Sequence, residues 1–197
     1  MKKITFIIAI LLTINCYSKN NFQKLFQADL PIKATDIIYD ESGKIVELVT
    51  STWIDRINTD KGLVYYKYKQ GYNYVKKEGF LKTYNDKGKL INENWSKAIS
   101  GGVAQEEVLI AFELFKKNET VQKQFASTKL DIMLYGGFNF KDDTECVSEN
   151  RCVHIFASTL DNVLLAHSIV RLTDAKVIYP AYGMDWYLEN KKVTIKK

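Results

Sequence analysis

Cys146 and Cys152, with His154 two positions beyond, are the first residues of this 197-residue chain whose types and spacing could do chemistry. Two thiols and an imidazole can hold a metal or run a thiol–disulfide cycle. The common zinc patterns and the thioredoxin-type motif place their cysteines closer together than the Val147–Arg151 spacer does. A polar, turn-like spacer of this length reads instead as a disulfide in an oxidising compartment. Closing so short a loop contributes about 2 to 2.5 kcal/mol on the chain-entropy estimate.

The second chemical candidate is the pair His154 and His167, the two histidines of the chain. An even-length turn near Asp161 places both on one sheet face, and a Leu160–Asp161 loop sets them directly opposite each other. Two imidazoles at that distance can share a metal, but Asp161 and Asp174 fall at turns, which leaves no evident third ligand. The reading adopted is two histidines seated on a sheet, with no catalytic residue, metal or cofactor. The competing reading is an envelope hydrolase or metal-dependent enzyme built from this pair and dispersed carboxylates. The sequence contains no HExxH, GxSxG or calcium-loop pattern, and Ser100-Gly101-Gly102 matches neither phosphate-binding glycine pattern. The run Lys141-Asp142-Asp143-Thr144-Glu145 reads as a solvated loop.

A third candidate is a binding surface. If Gln70-Gly71 forms a hairpin turn, Lys69 faces Tyr72, Lys67 faces Tyr74 and Tyr65 faces Lys76. Alternation then puts Tyr65, Lys67, Lys69, Tyr72, Tyr74 and Lys76 on a single face. Such a ribbon can stack on sugars or hold an anionic polymer through cation and ring together. It is equally the composition of a solvated strand face, since Tyr favours strands and Lys protects exposed ones.

The elements that must carry these residues divide near residue 100. Before it lie short strand-like runs containing an internal repeat. Tyr39-Asp40-Glu41-Ser42-Gly43-Lys44-Ile45-Val46 aligns with Tyr84-Asn85-Asp86-Lys87-Gly88-Lys89-Leu90-Ile91. Each copy is strand, acidic or amide turn, glycine at a positive φ, lysine and strand, the chemistry of a β-hairpin. After it comes a helix. Ala104, Val108, Ala111, Phe112 and Phe115 recur at helical spacing, Gln105-Glu106-Glu107 and Lys116-Lys117 suit its two ends, and Ser100-Gly101-Gly102 supplies a cap and a break. A short helical turn about Glu119 to Phe125 follows, and then apolar runs at Leu130 to Tyr135, Val153 to Ser158, Val163 to Leu172 and Lys176 to Tyr179.

The stretch Glu78 to Glu93, containing the second repeat copy, resembles one unit of the MORN-variant hairpin repeats of bacterial proteins. That resemblance implies a β-meander scaffold and carries no catalytic residues. The segment Leu165 to Tyr179 resembles the final hairpin of exported cystatin-like and PepSY-like modules, with Ala175 where those place glycine. This second resemblance implies a helix followed by a four-stranded meander, in modules that bind or inhibit. The expected fold is therefore α+β: antiparallel hairpins over 30–98, then one main helix packed on a four-stranded antiparallel sheet over 99–197.

The amino terminus sets the compartment. Met1-Lys2-Lys3, the apolar run Ile4 to Ile14 and the polar stretch from Asn15 have the three parts of an export signal over 1–18. Leu12-Thr13-Ile14-Asn15-Cys16 resembles a lipoprotein signal, which implies cleavage before Cys16, a lipid on that cysteine and attachment to a membrane surface. Cleavage after Ser18 is the alternative and gives a soluble periplasmic or secreted product. Of three cysteines, lipidation of Cys16 leaves the Cys146/Cys152 pair. Loss of Lys2 and Lys3 lowers the net charge from +5 to +3, too mild to imply nucleic acid. The reading that results is a noncatalytic binding or interaction module of the cell envelope with a protein or polysaccharide partner. An immunity-type or scaffold protein dedicated to one protein partner is the variant that an exposed apolar patch would mark.

Overall fold

The computed structural model describes residues 25–27 and, apart from 61, 100, 127, 142–144, 148 and 186, residues 30–187. The export signal and Cys16 lie outside the described residues. In chain order the elements are β1 (Leu25–Gln27), β2 (Asp36–Tyr39), β3 (Ile45–Thr59), β4 (Gly62–Asn73), β5 (Glu78–Tyr84), β6 (Leu90–Ser96), α1 (Gln105–Lys117), α2 (Glu119–Phe125), β7 (Ile132–Phe140), β8 (Cys152–Thr159), β9 (Leu164–Arg171) and β10 (Lys176–Tyr179). They build two five-stranded sheets, one in the order β2-β3-β4-β5-β6 and the other in the order β1-β7-β8-β9-β10. The fold is α+β and mostly sheet. Every strand pair is antiparallel except β1 with β7, which is parallel and adds a fifth strand to the expected second-half meander.

The repeat forms two hairpin turns of one design. In the first, the Asp40 amide donates to the Lys44 carbonyl at 2.9 Å and the Gly43 amide to the Asp40 carbonyl at 3.0 Å. In the second, Asn85 and Lys89 make the same bond at 3.0 Å and Gly88 and Asn85 at 3.0 Å. The leading Asp or Asn side chain accepts two further amides, Ser42 and Lys44 in one copy and Lys87 and Lys89 in the other. Gly43 and Gly88 sit at φ +80° and +74°, where a Cβ is disfavoured, so the repeated glycine is a requirement of the turn.

The turn expected at Gln70-Gly71 does not exist. Strand β4 runs straight through both residues, paired on one side with β3 and on the other with β5. Gly71 is needed for close approach and not for turning. A Cβ there would stand 2.0 Å from the Leu48 carbonyl oxygen and 2.5 Å from Cζ of Phe80, whose fully buried ring occupies the space.

The main core belongs to the second half. Val108, Ala111, Phe112 and Phe115 of α1 share one buried cluster with Ile132 and Leu134 of β7, Val153, Ile155 and Ala157 of β8, and Ala166 and Val170 of β9. Each large side chain so buried contributes about 1.5 to 3 kcal/mol. The helix does not start with the expected serine–glycine cap. Its N-cap is Ala104, whose amide donates to the Glu107 carboxylate at 2.8 Å, so a carboxylate one turn in does the capping. Ser100 itself lies outside the described residues. Helix α2 is capped by Asn118, whose side chain accepts from the amides of Thr120 and Val121. At the β9–β10 turn Ala175 takes φ +54°, a left-handed conformation that favours glycine, and Arg171 forks onto Asp174 at 2.8 and 2.7 Å across it.

Candidate functional site

Because β4 is continuous, the Tyr/Lys face expected of Tyr65, Lys67, Lys69, Tyr72, Tyr74 and Lys76 is not assembled. Tyr65, Lys67 and Lys69 lie on one face of β4, and Tyr72 lies on the other. Lys69 is tied to Asp36 at 2.5 Å, which raises its pKa. The Lys76 ammonium sits 3.4 Å from the centroid of the Trp95 ring. Tyr72 and Tyr74 turn inward. Their contacts show what sequence reasoning missed, a buried polar centre where the first sheet meets α1 and the loop before β8.

At that centre Glu107 is fully buried and Arg151 nearly so. Arg151 donates from Nε to Glu107 Oε1 and from Nη2 to Oε2, the latter at 2.8 Å, while Nη2 also donates to the Gly102 carbonyl at 2.6 Å. The Tyr74 hydroxyl donates to the same Glu107 Oε1, and the Tyr72 ring faces the guanidinium at 4.8 Å. The Tyr72 hydroxyl continues to the Glu149 carbonyl at 3.1 Å. Burial pushes the Tyr72 hydroxyl up to about 12 and Tyr74 well above its ordinary value, with the Glu107 charge adding to both. Burial alone would lower the pKa of Arg151, but the Glu107 charge and hydrogen bond outweigh it and the net direction is upward. Glu107 and Arg151 are charge-matched and hydrogen-bonded to each other and to their neighbours, which ties the first sheet, α1 and the loop before β8 together. Its sequence signal was Glu107 itself, a carboxylate inside the apolar stripe between Ala104 and Ala111.

The cysteines are joined as expected: Cys146 and Cys152 form a disulfide with Cα atoms 5.7 Å apart, both buried. The loop it closes carries Glu149 and Arg151, the two residues that receive Tyr72 and Glu107. Of the charged run 141–145, residues 142–144 lie outside the described residues, and Glu145 pairs with Arg171 at 2.6 Å.

The histidines share a sheet face, but they sit diagonally and not directly opposite. His154 faces Ile169 and His167 faces Phe156, because the connection closes between Thr159 and Val163 and the register slips after Ala157. Nδ1 of His154 lies 2.9 Å from Nε2 of His167. Burial, and then the neighbouring His154, hold His167 down at about 4, so it is neutral at neutral pH. Among the described residues no group of three His, Cys, Asp or Glu side chains is placed to hold a metal.

The remaining surface is an arm. Strand β5 pairs with β4 only over Lys67 to Asn73, and β2 pairs with β3 only over Ile45 to Val49. Past those limits β3 and β4 continue together to Thr59 and Gly62 as a two-stranded ribbon with, among the described residues, both outer edges open. One face carries Ile57, Val64 and Tyr66, and at the ribbon's base, where β5 still pairs with β4, Trp53 stacks on Tyr68 at 5.2 Å. The other carries Arg56, Leu63 and Tyr65, with Ile54 and Lys67 at the base in the last row that β5 reaches. Ile54 is 63% exposed, Leu63 49% and Tyr65 45%. Of the expected ribbon, Tyr65 and Lys67 thus remain on an accessible surface, in company the sequence reading did not assign them.

No protein-family model matches the sequence, and no curated protein does so either. Among the described residues no helix is long and apolar enough to cross a membrane.

Proposed function

We propose that this chain is a noncatalytic protein-binding module of the cell envelope, and that the β3–β4 arm is its contact element. The observation that carries the reading is the exposure of Ile57, Leu63 and Tyr65 on a ribbon whose strand edges are open, with Trp53 and Ile54 exposed at its base. Long, open, apolar-rich strands are an aggregation hazard unless something covers them, and an open edge is itself a template for a partner's strand. Full burial of an isoleucine contributes about 1.5 to 3 kcal/mol, so covering the exposed part of each of these side chains adds a fraction of that to a complex. A partner protein suits this surface better than a polysaccharide, because aliphatic side chains outnumber exposed ring faces.

Export fits the same reading. The expected amino-terminal signal and Cys16 lipid anchor would hold the arm at a membrane surface outside the cytoplasm, a compartment in which the Cys146–Cys152 disulfide is at home. A helix followed by a meander is also the order of elements expected of the binding and inhibitory modules that Leu165 to Tyr179 resembles. The reading is tested by placing a photo-crosslinking residue at Ile57 in the native host, with Asp161 as an exposed control. One discrete adduct at Ile57 and none at Asp161 is the expected result. No adduct at Ile57, or the same adducts at both positions, overturns it.

A further inference from the structure

We propose that His154 and His167 form a two-coordinate site for a monovalent soft cation, copper(I) or silver(I), which takes the place of the proton now held between them. The ring centroids are 5.2 Å apart and the planes differ by 21°, while the facing nitrogens are 2.9 Å apart. A centroid separation that exceeds the nitrogen separation by about two ring radii puts the imidazoles end to end and nearly coplanar. The nitrogens then point at each other, which is the linear arrangement that d10 monovalent ions prefer. At metal–nitrogen lengths of about 2 Å the two atoms stand about 4 Å apart, so the rings need to separate by about 1 Å.

The surroundings favour this class of ion over zinc. Zinc wants four ligands, and the described residues offer no third His, Cys, Asp or Glu. What they offer is aromatic cover. Phe156 lies parallel to both imidazoles, with centroids 4.1 Å from His167 and 5.8 Å from His154. Phe140 stands edge-on to His154 and Tyr182 edge-on to His167. These rings limit water on the flanks, as suits a weakly hydrated ion that water and oxygen would otherwise strip or oxidise. Burial and the neighbouring His154 keep His167 neutral at neutral pH, as an imidazole ligand must be. In the hydrogen-bonded pair one ring holds its proton on the facing nitrogen. On binding, that ring carries the proton on its far nitrogen, both lone pairs face the ion, and no proton is released overall.

The test uses the full chain with Cys16→Ser, so that the one thiol outside the Cys146–Cys152 disulfide cannot compete, and silver(I) as a probe that needs no reductant. Titration is followed by calorimetry and by 15N shifts of the imidazoles, which are unambiguous because the chain has two histidines. The expected result is one silver(I) per chain, upfield shifts at one nitrogen of each histidine, and affinity lowered in either His154→Asn or His167→Asn by more than the roughly 10- to 100-fold that loss of a mere outer-shell partner costs. The 15N readout in the unsubstituted pair stands even if a variant folds poorly. Binding that leaves both histidine spectra unmoved, as at a methionine, overturns the proposal, and so does the absence of saturable binding.

Discussion

The carboxylate of Glu107 and the guanidinium of Arg151, 44 residues apart in sequence, meet in the interior as a two-point pair. Glu107 also caps its own helix through the Ala104 amide and receives the Tyr74 hydroxyl from the first sheet. One carboxylate thus fixes the helix start, the loop before β8 and the docking of β4. Removing one partner leaves a buried charge alone, at a cost of about 3 to 5 kcal/mol, whereas removing both relieves the desolvation of each. Glu107→Gln and Arg151→Met are each expected to lose stability in that range, and the double variant less than their sum, as read by urea denaturation.

Tyr74 and Tyr72 make stability fall at alkaline pH. Both hydroxyls have folded-state pKa values above the unfolded value of 10, Tyr72 at about 12 and Tyr74 well above normal. Above pH 10 the unfolded chain releases protons that the folded chain keeps, so the contribution is whole below pH 10 and shrinks as pH rises through the folded values. The urea midpoint is expected to drop between pH 10 and 12. Tyr74→Phe is expected to flatten that drop while costing about 1.5 to 3 kcal/mol at pH 7, the worth of its bond to a charged acceptor.

The Cys146–Cys152 disulfide holds the loop that presents Arg151 and the Glu149 carbonyl. Replacing both cysteines by serine is expected to cost at least the 2 to 2.5 kcal/mol or so of loop entropy, because the ion-pair loop loosens as well. Both sulfurs are buried. Reduction under native conditions is therefore expected to proceed no faster than local opening of the loop, measured as thiol labelling against hydrogen exchange at Arg151.

What was legible in the sequence follows from where each signal is local. The two repeat turns were readable because Asp40 or Asn85 and the glycine three residues on satisfy the turn within themselves. Helix α1 was readable from its apolar stripe, and the disulfide from cysteine count and compartment. Gln70-Gly71 misled because a glycine that turns a chain and one that admits a neighbouring ring are the same letter; only the packing of Phe80 on β4 distinguishes them. The partnership of Glu107, Arg151 and Tyr74 joins three distant segments and left one trace, a carboxylate within the helix's buried stripe. The arm stayed hidden for a related reason. Its exposure depends on β2 and β5 ending short, which no property of Trp53 to Thr59 records.

Gly71 provides a direct check on that distinction. Gly71→Ala must push either the Leu48 backbone or the Phe80 ring and is expected to destabilise by about 1 to 3 kcal/mol, the cost of overpacking. At Gly102 an added Cβ meets nothing within 4 Å and the backbone is not left-handed. Gly102→Ala is expected to be neutral or to stabilise by up to about 1 kcal/mol through the unfolded state. Thermal unfolding of the two variants side by side separates a packing glycine from a tolerated one.

The arm is where binding and stability are expected to part company. Ile54 and Ile57 are 63% and 42% exposed and lie on opposite faces of the ribbon, Ile57 beyond both flanking strands and Ile54 opposite Lys67, the last β4 residue that β5 reaches. Side chains so placed add little to folding, and surface substitutions of this kind stay within about 0.5 kcal/mol. Ile54→Lys with Ile57→Lys is therefore expected to leave the urea midpoint almost unmoved. The same pair of charges must be desolvated in any complex that buries the arm, so a crosslink from Tyr65 to the partner is expected to vanish in the double variant. Loss of the crosslink with unchanged stability assigns the ribbon to recognition. A large fall in stability would instead mean that the ribbon is held against the body of the protein, and its apolar side chains would then belong to the fold.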